Sequence, residues 1–355
     1  MTLPNPVKLI GAPPSPYSRK MIALLRYRHI PYNIIWGDPS TVLEQMGIEK
    51  PKPGLLPTFL LPDEKENLKA ITDSTPIIRR LEDEISERSV IPKDPAIKFI
   101  NFLLEDFGDE WVTKYMFHYR WHLKEDAENA AELLPLNNNV SLTKETWEQF
   151  KDYIGPRQIE RLWVVGSNKT TAPIIESSYK RFLSVMEKHF ESLPFLLGNR
   201  PGSADFAIYG QLTQLIGFDP TSRKIAHEIS PRTVAWVNTM EDQSGLDATE
   251  NDWVEIESLP HSLKELLSEI GRVYVPALFA NAQALENGDK TWETKIDDCQ
   301  WHQQTFSYQG KCLQRIIEEY QSLKQSDQEK LSNLFEGTGC ELLLNKKKGL
   351  KYGNT

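Results

Sequence analysis

Ser15 is the first residue in this chain placed to do chemistry. It opens Ser15-Pro16-Tyr17-Ser18-Arg19-Lys20, directly after a Gly11-Ala-Pro-Pro stretch that regular structure cannot cross. Pro16 suits the first turn of a helix, where its missing N–H costs nothing. The free N–H groups and positive end of that helix favour an anion beside Ser15. A hydroxyl donating to a bound thiolate lowers the thiol's pKa from its ordinary value of about 8.5, and each unit is worth about 1.4 kcal/mol. The plainer alternative is that Ser15 only caps the helix. A second set of candidates is Trp111, Tyr115, His118 and His122, whose offsets of 0, 4, 7 and 11 put them on one helix face. That stripe can line a pocket or simply pack against a neighbouring helix. His118 and His122 have metal spacing, but no zincin glutamate accompanies them and Tyr119 follows the first histidine, so no metal is expected. Gly166-Ser-Asn-Lys-Thr-Thr171 has the look of a phosphate loop but lacks the glycine before its lysine.

The elements that must carry these residues fall into two regimes. Val7–Ile10 reads as a short buried strand, and Pro16 to about Tyr27 as a helix with Met21, Leu24 and Leu25 on one face. Tyr32–Trp36 is a second strand, rich in β-branched and aromatic residues. A loop broken by Pro51 and Pro53 leads to Leu55-Leu56-Pro57-Thr58-Phe-Leu-Leu61, where Pro57 belongs at the first strand position or on the turn before it. Pro62–Asn67 reads as a hairpin turn and Leu68–Thr72 as the return strand. Asp73-Ser74 then caps a helix with an early proline. After Asp94-Pro95 the pattern is helical, with elements expected over 95–125, 142–154, 174–192, 203–217, 231–242 and 260–270. Leu136-Asn-Asn-Asn139 reads as a turn. From Val275 a further helix, a β-hairpin around Trp292–His302 and helices near 306–323 and 326–336 follow.

Taken in order, the motifs resemble the glutathione transferase superfamily. Ser15-Pro-Tyr-Ser18 looks like the serine or cysteine version of that family's first strand-to-helix loop, with serine at both cysteine positions. Leu55-Leu56-Pro57-Thr58 resembles its cis-proline loop, and Asp73-Ser74 the acidic or amide residue plus serine at the next helix start. Phe195-Leu-Leu-Gly-Asn-Arg-Pro-Gly-Ser203-Ala-Asp205 resembles its loop into a buried helix of the second domain. The resemblance implies an α/β thioredoxin-like N-terminal domain followed by an all-α domain. It implies Ser15 as the catalytic residue and glutathione as co-substrate, held by Leu56, Pro57, Asp73, Ser74 and Lys52. The backbone of Leu56 would meet the cysteinyl part, and the Leu56–Pro57 bond would be cis. Ser74 would hold the γ-glutamyl group, with Asp73 on its ammonium and Lys52 on the glycyl carboxylate. Tyr17, Trp111, Tyr115 and His118 would line an acceptor pocket for a small electrophile, and a homodimer is admitted. Domains are expected at 1–90, 91–272 and 273–355, the last a mainly helical extension packed on the helical domain.

Composition narrows the classes further. The 355 residues carry 41 Lys and Arg against 50 Asp and Glu, a net charge of -9, which disfavours a nucleic-acid partner. Hydrophobic residues at 39% supply a globular core, yet no run approaches the roughly 18 apolar residues of a membrane span. The start of the chain lacks the features of a secretory signal, and three dispersed cysteines make neither a disulfide framework nor a zinc site, so a cytoplasmic location is expected. Lys346–Lys348 reads as a solvated basic tail. Two functions fit: a glutathione-dependent enzyme attacking an electrophile or a peroxide, and a non-catalytic transferase-like binding or scaffold protein.

Overall fold

The computed structural model describes residues 3–344; Lys346–Lys348 lie outside the described residues. The N-terminal part runs β1 (Val7–Gly11), α1 (Pro16–Tyr27), β2 (Tyr32–Trp36), α2 (Pro39–Gln45), β3 (Thr58–Pro62), β4 (Leu68–Ile71) and α3 (Ser74–Glu84). Its strands form one sheet in the order β2-β1-β3-β4. Strand β1 is parallel to β2 and antiparallel to β3, and β4 returns antiparallel along β3. The two central strands carry the apolar runs and are buried, while the outer strands are partly exposed. Helix α2 stands where the sequence reading has only a loop. Asp38 caps it by accepting from the Thr41 N–H at 3.0 Å, and Pro39 begins it, but only Leu43 is buried, too few apolar positions for a periodic signal.

Register decides where the motif residues sit. Ile10 lies opposite Thr58 and Phe59 opposite Ile71. The end of β1, the start of β3 and the end of β4 therefore share one end of the sheet. Ser15, Leu56 and Asp73-Ser74 all leave the sheet from that end.

The remainder is helical: α4 (Pro95–Phe107), α5 (Thr113–His122), α6 (Lys124–Asn138), α7 (Lys144–Ile159), α8 (Ala172–His189), α9 (Ser203–Gly217), α10 (Pro220–Ile229), α11 (Pro231–Met240) and α12 (His261–Glu269). A widened π-type stretch, Gly108–Val112, joins α4 to α5. There a Cβ on Gly108 would stand 3.1 Å from Ala207 of α9, so glycine lets the two helices meet. Two helices go beyond the expected set. Helix α6 continues through the supposed turn to Asn138, with Ala130 and Ala131 buried beneath it. Helix α10 starts at Pro220, and Asp126 of α6 accepts from the Thr221 N–H at 2.8 Å near its start. Among the described residues no helix is long and apolar enough to cross a membrane.

A boundary at residue 272 falls inside continuous helix, since α12 passes through a second π-type stretch, Ile270–Tyr274, into α13 (Val275–Asn287). The hairpin β5 (Thr291–Ile296) and β6 (Cys299–Gln304) and helices α14 (Ser307–Gln321) and α15 (Gln325–Phe335) follow. They dock on the first long helix. Phe99 of α4 meets Tyr320 at 5.8 Å and Phe335 at 6.2 Å between ring centres, and Trp111 meets Trp301 at 5.5 Å. Residues of this extension belong to the same apolar core as α4, α8 and α9. Cys312 and Cys340 are buried free thiols within it.

Candidate functional site

Ser15 is the N-cap of α1: its Oγ accepts from the Ser18 N–H at 3.2 Å. Its own hydroxyl hydrogen has no acceptor among the described residues. The cap and a donor role toward a ligand therefore coexist on one side chain. Ser18 is fully buried and accepts from the Ala12 N–H at 3.2 Å, which fixes the loop that presents Ser15. Helix α1 is itself seated on α9 at Gly210, where any Cβ would clash with the Pro16 carbonyl. Tyr17, half-buried, donates to the Asp109 carbonyl at 2.7 Å. Burial and then the charges of Glu110 and Asp109 push its phenol well above the ordinary range, so it stays neutral.

The Leu56–Pro57 bond is cis. Neither the N–H nor the carbonyl of Leu56 has a hydrogen-bond partner among the described residues, although Leu56 is half-buried. Free main-chain groups at the end of a sheet can pair with an extended ligand backbone. Pro57 is buried on the turn just before β3. Lys52 is exposed on the preceding loop and makes no ion pair among the described residues.

Asp73 caps α3 with a backbone φ of 78°, a left-handed conformation rare for a residue with a side chain. Its Oδ1 accepts from the Thr75 N–H at 3.3 Å, and its Oδ2 accepts from the Tyr308 hydroxyl of α14 at 3.0 Å. Both carboxylate oxygens of the residue expected to meet an ammonium are thus engaged within the chain. Ser74 is buried and its Oγ accepts from Lys20 Nζ at 3.1 Å, while its N–H has no partner among the described residues.

Lys20 ties the candidate site to the helical part. Fully buried on α1, it donates to Glu105 Oε1 at 3.1 Å and Asp109 Oδ2 at 2.6 Å. Glu105 also accepts from Thr75 and Arg79 of α3 and from Ser203 of α9. Burial opposes the charge on Glu105, but Lys20 and Arg79 outweigh it and hold the carboxyl well below its usual range. This network was not read from the sequence. Its signals were a lysine beside Met21–Leu25 and carboxylates inside the apolar run from Phe99 to Val112, since charges in apolar runs must be paired when buried.

The aromatic stripe is core, not pocket wall. Trp111, Tyr115 and His118 are all 0% exposed. Trp111 donates to Ser178 Oγ at 3.3 Å, Tyr115 shares a 2.6 Å bond with the same oxygen, and Ser178 donates to Glu269. His118 bonds Ser167 at 2.8 Å and stacks on His122 at 4.6 Å, and burial pushes its pKa down to about 3. The expected acceptor pocket is not formed by these three side chains, because Trp301 of the extension and helix α8 fill the space they face. Among the described residues no group of three or more His, Cys, Asp or Glu is placed to hold a metal. Asp205 accepts from the Leu196 and Gly202 N–H groups at 2.9 and 2.8 Å at the start of α9.

Residues 9–89 match the family model of the glutathione S-transferase N-terminal domain, and residues 156–244 that of the C-terminal domain. The chain belongs to the glutathione S-transferase superfamily. Residues 90–155 and those after 244 lie outside both matches to the transferase domains. Among solved structures it is similar to a GST-like protein from Pseudomonas syringae, at 15% identity and a TM-score of 0.41 over 67% of each chain. It is also similar to a glutathione transferase from Burkholderia graminis solved with two glutathione molecules per subunit, at 19% identity and a TM-score of 0.41, covering 68% of this chain and 89% of that one. The tau class transferase of mango, Mangifera indica, is 17% identical with a TM-score of 0.38, over 69% and 94% of the two chains. No curated protein matches the chain.

Proposed function

We propose that this protein binds glutathione at the shared end of its sheet and activates the thiol for attack on an electrophilic carbon or a peroxide. One observation carries the reading: the hydrogen of the Ser15 hydroxyl and both main-chain groups of Leu56 have no partner among the described residues, where the sheet register brings their segments together. In this reading the Ser15 O–H donates to the thiolate sulfur, the thiol proton leaves to solvent, and sulfur bonds to carbon as the leaving group departs with its electron pair. The Leu56 backbone pairs with the cysteinyl unit, the Ser74 N–H takes the γ-glutamyl carboxylate at the start of α3, and Lys52 takes the glycyl carboxylate. Calorimetric titration with glutathione, followed by turnover of a chlorodinitrobenzene, tests it. Absence of glutathione binding ends the proposal.

A second reading, a transferase-like scaffold without catalysis, is favoured by two facts. The stripe expected to hold the acceptor is filled, and Asp73 is bonded to Tyr308. Glutathione binding without turnover of any electrophile would select it. A cytoplasmic location and a homodimer belong to this proposal as well. Light scattering on the purified chain reads the second.

A further inference from the structure

Behind Asp73 the chain closes a small cavity of about 10 Å³, room for one water-sized group. Thr75, Glu105, Asp106, Asp109, Glu110 and Tyr308 line it. Two of its four carboxylates are served: Glu105 by the four donors named above, and Asp106 by the Tyr274 hydroxyl at 2.5 Å. Two are not. Asp109, only 7% exposed, accepts from Lys20 at Oδ2 while its buried Oδ1 has no partner among the described residues. The Glu110 side chain makes no hydrogen bond among the described residues. The cations nearby do not supply the missing donors. Lys20 and Arg79 are held by Glu105, Lys114 donates to the Val165 carbonyl and to Gln303, and Arg315 stands exposed at the rim. Burial and mutual repulsion accordingly push Asp106 to about 6 and Glu110 to about 8.

We propose that this cavity is a subsite for a primary ammonium group. Resting on the function proposed above, that group is the α-ammonium of the γ-glutamyl residue, held by Asp109 and Glu110 in place of Asp73. The size fits, since an ammonium head is about as large as a water. So does the donor count: its three N–H bonds match Asp109 Oδ1, the Glu110 carboxylate and the oxygen of Tyr308, whose hydrogen is given to Asp73. The carbon that bears this ammonium also bears a carboxylate, and the free Ser74 N–H lies one residue from Thr75 in the cavity wall. One α-amino-acid head can therefore span both places. The extension takes part through Tyr308, so this subsite belongs to this chain and not to the two matched domains.

The test compares glutathione with its des-amino analogue, glutaryl-cysteinylglycine, by calorimetry on the full chain. The wild type should bind glutathione about tenfold or more tightly than the analogue, the worth of a charge-assisted contact. Glu110→Gln should cut that preference several-fold by weakening glutathione and leaving the analogue unchanged. Asp109→Asn should do the same and guards against one variant failing to fold. Equal binding of the two ligands by the wild type would show that the cavity holds only water, and would leave the glutathione reading standing. No binding of glutathione at all would remove both. Undiminished preference in both variants would overturn the assignment to these two carboxylates.

Discussion

At the N-terminus of α1 the oxygen of Ser15 accepts from Ser18 and leaves its own hydrogen to give away. Two substitutions separate those tasks. Ser15→Ala should lower stability by about 1 kcal/mol through the lost cap and reduce kcat at neutral pH with glutathione affinity nearly kept. Ser15→Asp restores the cap but cannot donate as a carboxylate, so the unfolding midpoint should recover and turnover should not. If Ser15→Asp restores turnover, Ser15 is a cap and nothing more. Glu110 has the opposite signature. Burial first, then Asp106 and Asp109 on its own helix and Asp73 at the cap of α3, raise its carboxyl to about 8 against the pull of Lys114, with the neutral phenols of Tyr17 and Tyr308 nearby. A carboxyl raised above its unfolded pKa of about 4.3 makes the folded state bind extra protons. Its cost is absent below pH 4, grows as pH rises and is complete above pH 8. Glu110→Gln should therefore raise the unfolding midpoint at pH 8 and leave it nearly unchanged at pH 4. A uniform drop across that range would mean that Glu110 is a structural partner.

Helix packing sets how firmly those residues are aimed. Helix α1 is pressed on α9 at Gly210 and held from beneath by Lys20 in contact with α3, α4 and the π-type stretch. Gly210→Ala would force the two backbones apart, at about 1–3 kcal/mol, and should carry Ser15 away from the Leu56 segment. Turnover should fall more than the loss of stability explains at a temperature where the variant is fully folded. Glu105 joins α1, α3, α4 and α9 at a single carboxylate. Glu105→Gln leaves Arg79 without its charge partner and Lys20 with Asp109 alone, and about 3–5 kcal/mol should be lost. Chemical unfolding reads this directly. A loss below about 1 kcal/mol, the range of surface pairs, would show that the network is dispensable.

For the molecule as a whole, the extension is built into the core and is no appendage. Phe99, Trp111 and Asp73 each find a partner beyond residue 300: Phe335, Trp301 and Tyr308. A chain ending at Gly288 keeps α13 intact but uncovers Phe99 and Trp111. Burying each such aromatic side chain contributes about 1.5–3 kcal/mol, so the shortened chain should be less soluble and unfold at a lower temperature. An unchanged unfolding midpoint would show that the extension adds nothing to the fold.

The sequence by itself determined what short-range chemistry dictates. The starts of α1, α3 and α9 were legible because Ser15-Pro16, Asp73-Ser74 and Gly202–Asp205 satisfy helix N–H groups within a few residues. The strand-helix-strand order and the hairpin at Trp292–His302 followed from apolar spacing and turn residues. The short α2 and the added α6 and α10 escaped because their buried faces are narrow and are completed by neighbours distant in sequence. The candidate site divides along the same line. Ser15, Leu56 and Ser74 stand out in the sequence through local motifs. What surrounds them was settled by contacts such as that between Asp73 and Tyr308, 235 residues apart. The same helical spacing of Trp111, Tyr115 and His118 suits a pocket or a core. Only the arrival of Trp301 and Ser178 on that face decided for the core, because periodicity fixes which side of a helix is apolar and not what will cover it.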